Sequence, residues 1–255
     1  MQILLSPAKD MTDSPSVSLP SLTTPLFLAE AEHSAEQMSE LSTEELSQLL
    51  KINPQLSALN KQRYTDFPAL TPQAAVLSYT GMAYRHLRAA EFSSEDLAYA
   101  QQHLWMTSFL YGLTRPLDGI KNYRLEGNVV LPEHDGQTMF QFWRTRLTDV
   151  LIDAVKSDDG VLFFLASGEM KQLFDWKRVT KEVKVIMPTF QVMTNGKLKT
   201  IVVYTKMMRG ALARHLITNR VTATEDWLSF EYEGFALLPD STASMSTSVR
   251  RVRQN

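Results

Sequence analysis

The 255-residue chain contains no cysteine. That absence excludes disulfides, a disulfide-linked partner, thiolate nucleophiles, cysteine-ligated zinc, iron–sulfur clusters and thiol-based redox sensing together. No apolar run approaches the roughly 18 residues that a membrane span needs, so no membrane partner is expected. The opening stretch MQILLSPAKD lacks the basic region and the apolar length of a secretory signal, which makes the cytoplasm the expected location. Neither a GxxxxGKS/T nor a GxGxxG phosphate loop occurs, and there is no HExxH. No two of His33, His86, His103, His134 and His215 lie within four residues of each other. Glu30 and His33 have the Glu-x-x-His spacing of di-iron carboxylate proteins, but those sites need two copies. Neither a metal nor a cofactor is expected.

Charge of one sign is missing from two long stretches. Between Lys9 and Lys51 there is no Lys or Arg but there are eight acids, Asp10, Asp13, Glu30, Glu32, Glu36, Glu40, Glu44 and Glu45. Between Glu182 and Glu225 there is no acid but there are seven bases, Lys184, Lys197, Lys199, Lys206, Arg209, Arg214 and Arg220. A net charge of −2 argues against indiscriminate nucleic-acid binding. The asymmetry nonetheless places a basic surface on an acidic protein, unless the two stretches are simply solvated faces of opposite sign.

What is present reads as a mixed α+β chain of the α/β class, one domain over 1–255, with a composition ordinary for a globular protein. Residues 2–5 and 161–166 are short buried strands, and 74–79 resembles another. Residues 10–25 are irregular, and 27–38 reads as an acidic helix. The stretch 43–63 reads as two helices, Thr43 capping the first and Pro54 opening the second. A helix–hairpin–helix can bind nucleic-acid phosphates, but this connector lacks the usual glycines, and a plain αα-hairpin competes with that reading. Helices are expected over 82–87, 95–104, 138–155 and 206–219. A hairpin joins 183–192 to 198–204 across Thr194-Asn195-Gly196. A late strand at 234–238 precedes a basic tail with Arg250, Arg251 and Arg253.

The stretch Leu104–Pro132 organises the rest. It opens helix-like, then places Arg115, Asp118, Lys121, Tyr123, Arg124 and Glu126 among Leu117, Ile120 and Leu125. Charges so interleaved cannot all face water, because an unpaired buried charge costs several kcal/mol. They form either an ion-pair network or a polar cleft whose arginines await an anion. Three apparent strand ends support the cleft: Ser6-Pro7-Ala8-Lys9, Ser167-Gly168-Glu169 with Lys171, and Thr205-Lys206 with Arg209-Gly210. Gly210, inside a helix, marks close helix packing or close ligand approach. Ser6 with Lys9, or Ser167 with Lys206, is a conceivable nucleophilic pair, but no residue is assigned as catalytic.

The chain resembles the YaaA family of bacterial peroxide-stress proteins along nearly its whole length. The resemblance rests on LLSPAK at 4–9, YTGMAY at 79–84, LYGLTRPLDGIKNYRLEG at 110–127, FLASGEMK at 164–171, YTKMMRGALARHLITNR at 204–220 and EGFALLPDSTAS at 233–244. It departs at Glu169-Met170, where family members often read Glu-Tyr. The resemblance implies a cytoplasmic protein that supports resistance to hydrogen peroxide and helps keep unincorporated intracellular iron low. It also implies a single domain of the cantaloupe fold, with a helix–hairpin–helix at 43–63 and a positively charged cleft that binds DNA. By position, the cleft falls on Lys9, Arg115, Tyr123, Arg124, Lys206 and Arg209. The full DNA- or anion-binding set adds Arg214, Lys51, Lys61 and Arg63, with Ser6, Glu126 and Ser167 as polar cleft residues. The expectation is a non-enzymatic, monomeric DNA-binding protein with little sequence preference. The alternative is an enzyme acting on a nucleotide or other phosphorylated small molecule in the same cleft.

Overall fold

Gln-Ile-Leu-Leu carries no charge to keep in water, and it becomes the middle strand of a buried sheet. The computed structural model describes residues 1–17, 19, 21–194, 197–222, 226–237 and 248–251. The first half of the chain runs β1 (Gln2–Leu5), α1 (Leu28–Glu40), α2 (Thr43–Leu50), α3 (Pro54–Thr65), β2 (Gln73–Ala74), α4 (Ala75–Ser78), α5 (Met82–Leu87) and α6 (Ser94–His103). It continues with β3 (Leu104–Ser108), β4 (Gly112–Thr114) and β5 (Gly119–Ile120). The second half runs α7 (Met139–Lys156), β6 (Val161–Leu165), α8 (Trp176–Glu182), β7 (Lys184–Ile186), β8 (Thr189–Thr194), β9 (Lys197–Lys199), α9 (Val202–Thr218), β10 (Phe235–Leu237) and β11 (Ser248–Arg251).

The main sheet has the order β4-β3-β1-β6-β7. Strands β3, β1, β6 and β7 are parallel and β4 is antiparallel to β3. Leu4 pairs with Trp105 on one side and Phe164 on the other. Every residue of β1, β3 and β6 is buried, as expected of parallel strands covered on both faces. Phe163 meets Trp227 and its neighbour Phe164 meets Trp176, since successive side chains on a strand point to opposite faces. A second sheet has the order β10-β11-β8-β9. Helix α9 packs against β8 and against β1 and β6, so it ties the two sheets together. One hydrophobic cluster reaches from Met1 to Phe235.

Local signals set the helix starts. Ser42 with Glu45, Ser93 with Asp96 and Thr138 with Gln141 form reciprocal capping boxes, and Asn53 caps α3 with Pro54 in its first turn. Ser42 therefore takes the role that the sequence assigned to Thr43.

Four expected elements differ. The strand expected over 183–192 divides into β7, in the main sheet, and β8, in the second. Leu104–Ser108 is a central strand, not the opening of a helix, and it follows α6 directly. Residues 74–79 give a two-residue strand and one helical turn. The strand expected over 198–204 ends at Lys199, and α9 starts at Val202. Strands β8 and β9 do pair antiparallel; Asn195 and Gly196 between them lie outside the described residues, as do Leu238 and Arg253. Among the described residues no helix is long and apolar enough to cross a membrane.

Candidate anion-binding cleft

The chain leaves β1 for β3 on one side, and later reaches β6 on the other side of β1. Where strand order reverses in this way, a crevice opens beyond the carboxyl ends of the strands. Ser6 and Ser167 follow β1 and β6 at that point. The Ser167 backbone N–H donates to Ser6 Oγ at 2.7 Å, and the Ser6 hydroxyl donates to Ser167 Oγ at 3.3 Å. Ser167 in turn donates to Glu169 Oε1 at 3.3 Å. On the other wall, the Tyr84 hydroxyl donates to the Ser6 carbonyl at 2.8 Å.

The cavity is about 730 Å³. Its walls are the loop from Ser6 to Asp10, the start of α5, Phe109 at the end of β3, Tyr123–Glu126, Ser167, Glu169 and Met170, and the first turns of α9. Among the described residues, five cations line it (Lys9, Arg85, Arg124, Lys206 and Arg209) against three acids (Asp10, Glu126 and Glu169). The balance is therefore positive inside a net acidic chain. Glu126 engages two of the cations, Lys9 at 2.9 Å and Arg124 at 3.5 Å. Arg124 still has its Nε buried without a partner.

The two α9 cations that line the cleft are different. Lys206 is exposed and Arg209 is half-buried, and neither has a carboxylate or hydrogen-bonding partner among the described residues. Burial pulls the Arg209 pKa down, with no acid among the described residues to oppose it. The N-terminus of α9 also lines the cleft, at Val202 and Val203, and among the described residues no side chain caps it. The partial positive charge of that helix end adds to the attraction for an anion. Tyr123 is buried, its hydroxyl 2.7 Å from that of Ser108 and 3.0 Å from that of Tyr79. Burial raises its pKa, so it remains a neutral phenol.

The structure thus gathers Ser6, Lys9, Tyr123, Arg124, Glu126, Ser167, Lys206 and Arg209 around one cavity. It sends the other candidates elsewhere. Arg115 follows β4, which runs back along β3, so it lies at the opposite end of the sheet. There its guanidinium donates to the Gln102 carbonyl at 2.8 Å and lies 3.3 Å over the Trp105 ring. Burial lowers its pKa to about 10. Arg214 donates to the Leu87 and Arg88 carbonyls and pairs with Glu91 at 3.2 Å, closing the end of α5.

The hairpin α2–α3 divides as well. Lys61 donates to the Ser39 carbonyl, and Lys51 ends α2 in a left-handed conformation with φ of 52°. Arg63 is outside the cavity lining but within electrostatic reach of Arg124, which lines it. It is half-buried, which lowers its pKa, with Asp13 opposing and Arg124 reinforcing the shift. Its neighbour Tyr64 donates to the Arg124 carbonyl at 2.6 Å.

Sequence reasoning did not assign Gly81, Met82, Tyr84 and Phe109 to the site. The signal was the YTGMAY segment, whose glycine sits where an added Cβ would lie 2.7 Å from Ala8 Cβ. Gly210 proves to be a packing glycine: an added Cβ would lie 1.8 Å from the Ala83 carbonyl oxygen. Among the described residues no three His, Asp or Glu side chains converge as metal ligands would, and His33 pairs instead with Glu133 at 2.9 Å.

The family model described as "Peroxide stress protein YaaA" matches residues 1–241. A curated relative from Bacteroides thetaiotaomicron, named UPF0246 protein, is 51% identical over 237 residues, 92% of each chain. One of the same name from Phocaeicola vulgatus is 50% identical, covering 92% of this chain and 93% of the relative. A third, from Porphyromonas gingivalis, is 45% identical, covering 94% and 95%.

Proposed function

The chain belongs to the peroxide stress protein YaaA family, and from that premise we propose that it serves the peroxide response by binding DNA through the cleft beyond β1 and β6. The observation that carries this reading is Arg209. A half-buried guanidinium beside Lys206, with no acid paired to it among the described residues, is left short of an anion. A phosphate oxygen supplies that charge through short charge-assisted hydrogen bonds. Arg63 extends the cationic path from the cleft to the helical hairpin, which serves as a secondary phosphate contact. Contacts to phosphate carry no sequence information, so sequence preference is weak. The protein acts as a cytoplasmic monomer, and the family resemblance adds that it helps limit unincorporated intracellular iron.

Titration of a labelled duplex at two salt concentrations tests the reading. Affinity should fall steeply as salt rises, because binding through phosphates releases counterions. Affinity indifferent to salt would sink it.

A second reading is an enzyme acting on a nucleotide or other phosphorylated small molecule. It is favoured by one observation: Ser6, Tyr123, Glu126 and Ser167 share the cavity with Arg124 and Arg209, a richer set than phosphate contact requires. Thermal-shift measurements with a panel of nucleotides, followed by product analysis, separate the two. Stabilisation with turnover supports the enzyme; stabilisation without turnover leaves a binding site.

A further inference from the structure

The segment that follows β6 has two edges. Ser167, Glu169 and Met170 line the cleft, whereas Lys171 and Gln172 turn to a second hollow that shares no lining residue with it. This hollow measures about 460 Å³, inside the roughly 300–1,000 Å³ range of sites for small organic ligands. Arg144 of α7 bounds it on one side, and Lys171, Gln172, Phe174, Asp175 and Trp176 bound the rest.

Its charges are unequally committed. The Asp175 carboxylate accepts the Arg178 backbone N–H at 3.1 Å and so caps α8. Lys171 and Arg144 pair with no carboxylate among the described residues. The half-buried Lys171 ammonium lies instead 5.3 Å from the centre of the Trp176 ring and 5.8 Å from that of Phe164. Ring faces attract a cation but leave its charge uncompensated. Arg144 donates its Nε–H to the Gln172 carbonyl at 3.2 Å. Its two terminal nitrogens have no partner among the described residues, and they keep the fork geometry that grips a carboxylate. Beside both cations stands Trp176, half-buried where Trp105, Trp143 and Trp227 are buried. A bare anion would satisfy the cations and leave this indole surface wet. A flat apolar group carrying a negative charge satisfies both.

From this juxtaposition we infer that the hollow is a binding site for a small aromatic carboxylate. Its carboxylate bridges Arg144 and Lys171, and its ring lies against Trp176. The site is separate from the cleft and does not depend on the cleft's taking DNA.

Titration of phenylacetate into the full chain, with tryptophan fluorescence as the signal, tests the inference. Binding should change the emission, because Trp176 is the tryptophan that lines the hollow. Trp176→Phe should remove that change. Phenylacetamide, which lacks the charge, and acetate, which lacks the ring, should each bind about tenfold more weakly in calorimetry. Arg144→Gln and Lys171→Gln, each shown folded by circular dichroism, should weaken phenylacetate by about tenfold. Lys206→Ala with Arg209→Ala should leave its affinity unchanged. Phenylacetamide binding as tightly as phenylacetate overturns the role of the cations. Acetate or inorganic phosphate binding as tightly overturns the role of the ring. Binding lost in the cleft variant but kept in the glutamine variants moves the ligand to the cleft and overturns the site. A double glutamine variant that lowers the salt slope of duplex binding, in a protein that binds no carboxylate, makes the hollow a DNA contact and overturns it too. No saturable binding of phenylacetate, benzoate or indole-3-acetate in saturation-transfer NMR overturns the proposal outright.

Discussion

Replacing Lys206 and Arg209 together by alanine is the sharpest test of where phosphates bind. Neither side chain takes part in an ion pair among the described residues. The substitution therefore strands no buried partner. Alanine is the better helix former, which offsets the packing lost with the Arg209 alkyl chain. The double variant should stay within about 1 kcal/mol of wild-type stability. Each lost phosphate contact reduces the slope of log K against log salt by about 0.9. Raising salt from about 50 to 200 mM then costs roughly 3.5-fold per contact, and about twelvefold for two. Wild-type affinity should fall about twelvefold more than that of the variant over this range. The comparison is Lys51→Ala with Lys61→Ala. Lys61 is engaged with the Ser39 carbonyl, and the acidic first turn of α2, at Glu44 and Glu45, opposes phosphate approach. That variant should lose less than one unit of slope. Anisotropy titrations at four salt concentrations, after circular dichroism shows both variants folded, provide the measurement. A folded cleft variant with the wild-type slope, beside a hairpin variant that has lost it, would refute the reasoning.

Arg115→Ala removes a hydrogen bond to Gln102 and the stack on Trp105; it should lower stability by about 2–4 kcal/mol in urea melts while leaving the salt slope of the remaining folded protein unchanged. Gly210→Ala forces a Cβ to within 1.8 Å of the Ala83 oxygen, and the expected destabilisation of about 3 kcal/mol outweighs the helix-propensity gain of about 1; an unchanged melting temperature would contradict the backbone contact. Burial pushes the Asp158 carboxyl up, but hydrogen bonds from the N-terminal ammonium and Gln2 outweigh it and hold the pKa below the ordinary value. Its contribution to stability is thus fully present above the unfolded pKa of about 3.9 and is lost as pH falls through the lower folded value. Asp158→Asn should flatten that acid limb, and a wild-type-like limb between about pH 2 and 5 would show that this carboxylate does not set it.

Much of the architecture was legible because it is written locally. Serine, threonine or asparagine stands one residue ahead of α2, α3, α6 and α7, and the apolar runs at 2–5 and 161–165 are strands. Leu104–Ser108 was not legible: it follows His103 with no glycine or proline between, and a run buried on both faces has no period to separate strand from helix. That one misreading also hid the place of Arg115. Once Leu104–Ser108 is a strand, the antiparallel return of β4 carries Arg115 away from the end where Phe109 lines the cleft. Ser6 and Ser167 were visible as strand ends, but their hydrogen bond spans 161 residues and depends on β1 and β6 being neighbours. Arg209 and Arg214 look alike in sequence; only the carbonyls and Glu91 facing Arg214 distinguish them.

The contact between Gly210 and the Ala83 oxygen makes one side of the cleft a fixed jaw. Met82 and Tyr84 flank one partner and Arg209 flanks the other. The gap between these lining side chains is therefore set by touching main chains, which cannot yield by changing rotamer. A ligand entering here finds α5 and α9 at a constant separation. Any widening has to come from the facing wall at Tyr123–Glu126, which the Lys9–Glu126 pair fastens to the loop from Ser6 to Asp10; that loop is itself held on the α5 side by the Tyr84–Ser6 and Thr80–Asp10 hydrogen bonds. The Lys9–Glu126 pair attracts weakly in water and weakens further with salt. The same ions that compete with a ligand for Arg209 would then also loosen the latch that admits it.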